Sequence, residues 1–355
     1  MALANPFKGP KDGTFSTLPD PRTEQGIRGE HHPEAPQARR TKGKNAMLFK
    51  TVSRLLPVLG LVGALLAPIT ADAQEASAGI PVLTKDQAAF DLLPDDIKAS
   101  GVIKLGTDAH YPPCEYFAED NVTMLGFGPD LWRAMGQKLG VEVKAESIDF
   151  AGLIPGILSK RFDMAIECIT DTAEREQQLT FVDYSYDYGD AIYFMASNPV
   201  IKEGDFTSLC GLKTAGQSGT NFIDNLQVFS DYCAKKGKPP IQISEVPQAA
   251  AVMTGLFAGR IDFMLGAVVA FDEMQKAAPS PVKSFPNALN KRTYMGAIVN
   301  KDNTKLSEAL LAALKGVIAD GAYDTIWDKY RVGHAKLLDP GINLATQRPI
   351  VQPEL

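Results

Sequence analysis

The sequence predicts an α/β protein made of two similarly built lobes, on three observations. Strand-like and helix-like stretches alternate from residue 102 onward, a pattern that gives mostly parallel sheets covered by helices. The alternation restarts after residue 200. A fifteen-residue pattern, "GLIPGILSKRFDMAI" at 152–166, returns as "AVMTGLFAGRIDFML" at 251–265. Each copy reads as a helix, a basic residue at the turn, and an aromatic-flanked Asp entering an apolar strand, so one supersecondary unit serves once per lobe.

The alternation begins only after a leader. Residues 1–46 are rich in Pro, Gly and charge without an apolar period, and read as a disordered extension or a mis-called start. From Met47 the pattern changes: Lys50 and Arg54 precede the apolar run Leu55 to Ile69, and Ala71-Asp72-Ala73 offers a cleavage site. This is a secretory signal peptide over 47–73. The run is shorter than the roughly 20 residues that span a bilayer. No Cys follows it before Cys114, so lipid attachment at the cleavage site is not expected, and the protein is expected to be periplasmic.

Removing 73 of 355 residues leaves 282, enough for two domains. The leader holds ten of 36 Lys/Arg and six of 42 Asp/Glu, leaving 26 basic and 36 acidic side chains and a net charge of −10. Such a surface repels phosphate backbones, so nucleic acid is excluded as a partner class. The four Cys fall in the exported part, where disulfides form. Four Cys allow three connectivities. Our reading pairs Cys210 with Cys233, which flank a strand-turn-helix segment, and Cys114 with Cys168.

In chain order, 102–107 alternates as a strand, and 127–139 reads as a helix with Pro129 and Asp130 near its start and Gly140 past its end. Strand 141–147, a short helix at 153–159 and strand 162–166 follow. After residue 200 come strand 212–216, helix 221–236, strand 241–246, helix 248–258 and strand 261–265. A last strand is read at 295–299. In the helix after it, Leu306, Leu310, Leu314 and Ile318 recur every four residues and form a core stripe. A second helix covers 322–330.

Catalytic and metal signatures are missing from the sequence. Downstream of the leader the only histidines are His110 and His334, neither in a metal-ligand spacing. Around Ser218 the chain reads G-Q-S-G-T, which departs from the G-x-S-x-G elbow at its last position. Neither a dinucleotide fingerprint nor a phosphate loop occurs. No cofactor is expected.

Arg175, in "ECITDTAERE" at 167–176, reads either as a solvated surface charge or as a ligand anchor. Six stretches bear on the choice: "IKLGTDAHYPPCEY" (103–116), "GFGPDLWRAMGQKLGVEV" (126–143), "FAGLIPGILSKRFDMAIECITDTAERE" (150–176), "TFVDYSYDYGDAIYF" (180–194), "LCGLKTAGQSGTN" (209–221) and "LKGVIADGAYDTIWDKY" (314–330). Together they resemble the extracytoplasmic solute-binding proteins of polar amino-acid ABC transporters, bacterial solute-binding protein family 3, over residues 97–333. The resemblance implies a two-lobed periplasmic-binding-protein fold with two hinge strands. Lobe 1 would run 74–190 and return with the C-terminal helices at 294–355, lobe 2 would span 191–293, and the crossings would fall near 188–196 and 290–297.

The resemblance also implies the site. Arg175 matches the arginine that pairs bidentately with a ligand α-carboxylate, which suits a guanidinium fork. Thr170 matches the assisting hydroxyl, and Thr220 and Asn221 a turn that closes from the other lobe. Asp108 and Tyr111 match a polar contact and an aromatic wall. Asp171 and Glu174 resemble a capping box. Cys114 and Cys168 replace the family's usual residues beside the expected pocket, which motivates a bond between them. The family's amino-binding Asp falls here on Ala267, so another acid, Glu167, Asp171 or Asp190, is expected to take over, with Glu167 preferred. The implied function is capture of a small carboxylate-bearing, amino-acid-like solute by a monomer that delivers it to a membrane permease through hinge closure. The alternative is a periplasmic enzyme on the same scaffold, similar to cyclohexadienyl or arogenate dehydratases, with Glu167 as its acid.

Overall fold

A computed structural model describes residues 79–351, apart from Tyr188 and 289–291. The extension at 1–46 and the export signal at 47–73 lie outside the described residues. Two short helices, α1 (Gln87–Asp91) and α2 (Asp95–Ser100), lead into β1 (Val102–Thr107) and a small antiparallel sheet of β2 (His110–Tyr111), β3 (Glu115–Phe117) and β4 (Met124–Leu125). Then come α3 (Phe127–Leu139), β5 (Glu142–Ser147), α4 (Leu153–Leu158), β6 (Met164–Ala165), β7 (Leu179–Asp187) and β8 (Asp190–Met195). The second series is β9 (Lys213–Gln217), α5 (Asn221–Lys235), β10 (Gln242–Val246), α6 (Ala249–Phe257), β11 (Met264–Ala267), α7 (Phe271–Ala277) and β12 (Val282–Pro286). The chain finishes with β13 (Thr293–Asn300), α8 (Thr304–Ala319), α9 (Ala322–Lys329), β14 (Lys336–Ile342) and α10 (Leu344–Gln347).

The fold is mixed α/β in two lobes. One sheet has the order β14-β7-β13-β6-β1-β5, with β1 parallel to β5 and β6 and the strands from β13 outward antiparallel. In the other lobe β9 pairs in parallel with β10, β8 pairs antiparallel with β11 and β12, and a bridge from Thr214 to Phe263 links the two groups. The chain leaves the six-stranded sheet at Asp187, enters the second lobe at Asp190, leaves it at Pro286 and returns at Thr293. One apolar core gathers Leu131, Trp132 and Met135 of α3 with Leu306, Leu310 and Leu314 of α8 and Trp327 of α9, while Ile318 packs at its edge. The other centres on Ile192, Phe194, Leu226, Phe229 and Phe263.

The repeated pattern has a shared physical role. Asp163 donates its N–H to the Lys104 carbonyl and accepts the Lys104 N–H at 2.8 Å, and Asp262 does both with Lys213, also accepting at 2.8 Å. Each Asp therefore locks the start of its strand to the start of a neighbouring strand, β1 in one lobe and β9 in the other. In the first copy Phe162 needs room: a Cβ on Gly106 or on Gly156 would stand 2.7 Å from its ring. The strand there is shorter than the expected 162–166. Its ladder begins only at Met164, because Phe162 turns inward beneath β1.

Both expected disulfides are formed, with Cα atoms 6.0 Å apart for Cys114–Cys168 and 5.5 Å for Cys210–Cys233. The expected capping box is corrected. Arg175–Gln177 make a short 3-10 turn, and Thr172, not Asp171, accepts the Arg175 N–H at 3.2 Å. The Asp171 carboxylate faces the other way and accepts the Ala345 N–H at 3.0 Å. Among the described residues no helix is long and apolar enough to cross a membrane.

Candidate ligand site between the lobes

Strand ends converge where the lobes face each other. The lobe carrying β1 contributes Tyr111, Phe150, Glu167, Cys168, Thr170, Asp187 and Met295; the other contributes Asp190, Gln217, Thr220, Asn221, Phe222 and Ala267. They enclose a polar cavity of about 30 Å³. Its small size follows from direct hydrogen bonds between the lobes. Gln217 Nε2 donates to Asp108 Oδ2 at 2.7 Å, Arg175 Nη2 to the Gly219 carbonyl at 3.0 Å, and the Ala267 N–H to the Tyr111 hydroxyl at 2.9 Å. Thr170 Oγ1 donates to Asn221 Oδ1 at 3.3 Å.

Six of the expected residues share this cavity: Tyr111, Glu167, Cys168, Thr170, Thr220 and Asn221. Arg175 sits one step away, in a neighbouring cleft of about 310 Å³ with Thr172, Gly219, Asn221 and Asp224. Its Nη1 donates to the Thr170 carbonyl at 2.8 Å. Two of the five N–H donors of its fork thus tie it to both lobes. Asp108 lies behind the wall, 2% exposed, where Oδ2 accepts the Phe150 N–H at 3.1 Å and Oδ1 lies 2.6 Å from His110 Nδ1.

Local structure explains these placements. Thr220 is the N-cap residue of α5, and because its hydroxyl donates to the Gln217 carbonyl at 2.7 Å it caps none of the first N–H groups of the helix. Gly219 turns the chain at φ +81°, and a Cβ there would lie 3.1 Å from Ala151 Cα across the lobes, so a side chain would push the lobes apart. The Cys114–Cys168 bond fastens the segment after Tyr111 to the one after Glu167, which fixes their separation on the wall.

The site is rich in buried acid. Glu167 is 4% exposed; burial pushes its carboxyl well above the usual range, the Asp108 charge adds to this, and Arg175 opposes it. Glu115 is fully buried with neither carboxylate oxygen hydrogen-bonded, and burial, then Glu167 and Asp108, raise it as well. Burial also raises Asp187. Asp190 stands directly across the β8–β11 ladder from Ala267 and accepts from Asn225 Nδ2 at 2.9 Å. Of the three acids considered as replacements at Ala267, Glu167 and Asp190 reach the cavity and Asp171 does not. Sequence reasoning missed Phe150, Asp187, Gln217, Phe222 and Met295. Gln217 carried a signal, as the last residue of a strand facing a switch point. Among the described residues no cluster of His, Cys, Asp and Glu could hold a metal ion.

Comparison with known proteins agrees with this architecture. The chain is 29% identical over 240 residues to the putative ABC transporter arginine-binding protein 2 of Escherichia coli, covering 65% of this chain and 91% of that protein. It is 27% identical over 195 residues to an arginine-binding protein of Corynebacterium glutamicum, covering 55% of this chain and 59% of that one. A solved ancestral arginine-binding protein bound to arginine superposes with a TM-score of 0.56 at 28% identity, covering 65% of this chain and 98% of its own. The model of bacterial extracellular solute-binding proteins, family 3, matches residues 103–334, and the chain belongs to that family.

Proposed function

We propose that the protein captures a small carboxylate-bearing, amino-acid-like solute between its lobes in the periplasm and delivers it, as a monomer, to an ABC transporter permease. The lobes would follow the expected 74–190 with 294–355, and 191–293, except that β8 brings Asp190 into the second lobe and β13 brings Thr293 into the first, and export would depend on the leader at 47–73. One observation carries the reading: Arg175 and Thr170 from one lobe meet Gly219 and Asn221 at the start of α5 from the other. A guanidinium fork beside a helix N-terminus suits a carboxylate. An ammonium on the same solute would be met by Glu167, with Asp190 beside it. Bonds that the solute makes only once the lobes have closed favour the closed state, because a ligand shifts a conformational equilibrium only through its difference in affinity.

The similar proteins named above are binding proteins, which supports binding over turnover by a dehydratase-like enzyme. The reading is tested by Arg175→Ala. Charge-assisted hydrogen bonds contribute about 1.5–3 kcal/mol each, so losing a bidentate pair should weaken calorimetric affinity by about 100-fold or more. Unchanged affinity for a solute that copurifies with the protein would refute it.

A further inference from the structure

Beyond Tyr111, Gln217 and Phe222, on the far side from Glu167, lies a second cavity of about 330 Å³. Its walls are almost wholly apolar: Val252 and Met253 from α6, Met264 and Leu265 from β11, and Met274 from α7. Gly216, Gly266 and Ala270 also line it. Its rim carries the exposed Lys276–Glu273 ion pair, at 2.7 Å. The three residues that separate it from the polar cavity line both, so the two spaces share a wall of three side chains. Tyr111 is held there by the Ala267 N–H, and its ring lies 6.4 Å from that of Phe222.

We propose that this chamber receives the apolar substituent of the carried solute, so that the solute is a carboxylate bearing an aromatic or branched aliphatic group. This rests on the binding role proposed above. The head lies between Arg175 and the start of α5. Tyr111 belongs to one lobe and Phe222 and Ala267 to the other, so this wall parts when the lobes separate, and the body enters past Tyr111 and Phe222 to reach Met253, Met264 and Met274. Size and chemistry agree, since an engineered apolar cavity of about 150 Å³ stays dry and takes up benzene. Methionines suit such a wall, because the flexible, polarisable thioether adapts to aromatic edges. The position of Ala267 fits as well. Its neighbour Gly266 faces the chamber while Ala267 itself faces the polar cavity, so the strand end that presents no acid is also the point where the two spaces meet.

The test uses L-phenylalanine, 3-phenylpropionate and L-alanine as probes on the purified protein, by calorimetry and by nuclear magnetic resonance of methionine methyl groups. L-phenylalanine is expected to bind at least tenfold tighter than L-alanine and to shift the methyl signals of Met253, Met264 and Met274, which L-alanine leaves in place. 3-Phenylpropionate is expected to shift the same methyl signals, since the chamber reads the ring and not the amine. Val252→Trp fills the chamber and should cut the preference for L-phenylalanine over L-alanine below threefold. The proposal is overturned if L-phenylalanine fails to outbind L-alanine, if those methyl signals stay put when it binds, or if the preference survives Val252→Trp. Should Val252→Trp not fold, the methyl signals of the unaltered protein decide. Wild-type binding of L-phenylalanine by Arg175→Ala would instead overturn the carboxylate anchor, whatever the methyl groups report.

Discussion

At Glu167 burial and charge pull in opposite directions. Removed from water, with Asp108 nearby, its carboxyl favours the protonated form, and only Arg175 opposes this. An ammonium arriving in the cavity adds a second cation and favours ionisation, so capture of an α-amino acid should release a proton wherever Glu167 is protonated in the empty site. Calorimetry of one amino acid in two buffers of different ionisation enthalpy should therefore give different apparent enthalpies. In Glu167→Gln the difference should vanish and affinity should fall about tenfold, as expected for the loss of one charged hydrogen bond. Equal enthalpies in the unaltered protein would rule out Glu167 as the ammonium partner. Arg175, Thr170 and Glu167 were legible because they sit together in one local pattern. Gln217 and Phe222 were not, since a strand-end amide and an aromatic in the first turn of a helix read as ordinary packing until the other lobe is placed against them.

Among the elements, the C-terminal segment was the least legible. Residues 336–348 contain Pro340-Gly341 and receive no strand or helix of their own from the sequence, yet they form β14 on the edge of β7 and the short helix α10. Carboxylates from distant positions order them: Asp183 accepts the Leu344 N–H at 2.8 Å, Asp171 the Ala345 N–H, and Glu176 the Thr346 N–H at 3.2 Å. The remaining oxygens, Asp171 Oδ1 and Asp183 Oδ1, are buried without a donor. A proton kept by one carboxyl and shared with the other satisfies both. Burial accordingly raises Asp171 to about 9, with the Asp183 charge adding to it, and Asp183 to about 7, where the Leu344 N–H and Arg348 oppose the rise. Both values exceed the roughly 3.9 of an unfolded Asp. The native state thus holds protons that the unfolded chain gives up, and the stabilisation, complete below about pH 4, is lost as pH rises through 7 and then 9. Thermal melts should show midpoints falling between pH 6 and pH 9.5. In Asp183→Asn, which can still donate to Asp171, the fall should be smaller. A midpoint independent of pH over that window would remove the shared proton from the account. By contrast, the helix at 127–139 was read to the residue and the core stripe of the helix at 304–319 was read correctly, because capping and a 3.6-residue apolar period are local signals.

On the scale of the whole molecule, hydrogen bonds span the lobes directly, among them Gln217 to Asp108, Arg175 to Gly219, Ala267 to Tyr111, and Gln248 Nε2 to Asp149 Oδ1 at 3.2 Å. The first is buried on both sides and should contribute most to holding the lobes together, because a hydrogen bond to a charged group strengthens as water is excluded. Gln217→Ala should raise the radius of gyration seen by small-angle scattering and weaken solute binding about tenfold. An unaltered scattering profile with unaltered affinity would deny it that role. Two lobes were legible from the repeated pattern, since Asp163 and Asp262 do the same work in each. The crossings between lobes were expected, near 188–196 and 290–297, only through the family resemblance, because residues 179–187 and 293–300 alternate no differently from strands that stay within a lobe. The order of the six-stranded sheet bears on how the protein is made. Strand β7 lies between β13 and β14, and both arrive only after the whole second lobe has been synthesised. Until residue 300 emerges, β7 has no partner on either side, and the half of the sheet formed by β1, β5 and β6 stops short of it. The first lobe therefore cannot finish folding during synthesis, and long-range pairing of this kind is slow to form. A chain built in this order stays threadable until its last sixty or so residues are present, while the intervening lobe, whose strand pairings all lie within its own stretch, is free to fold first.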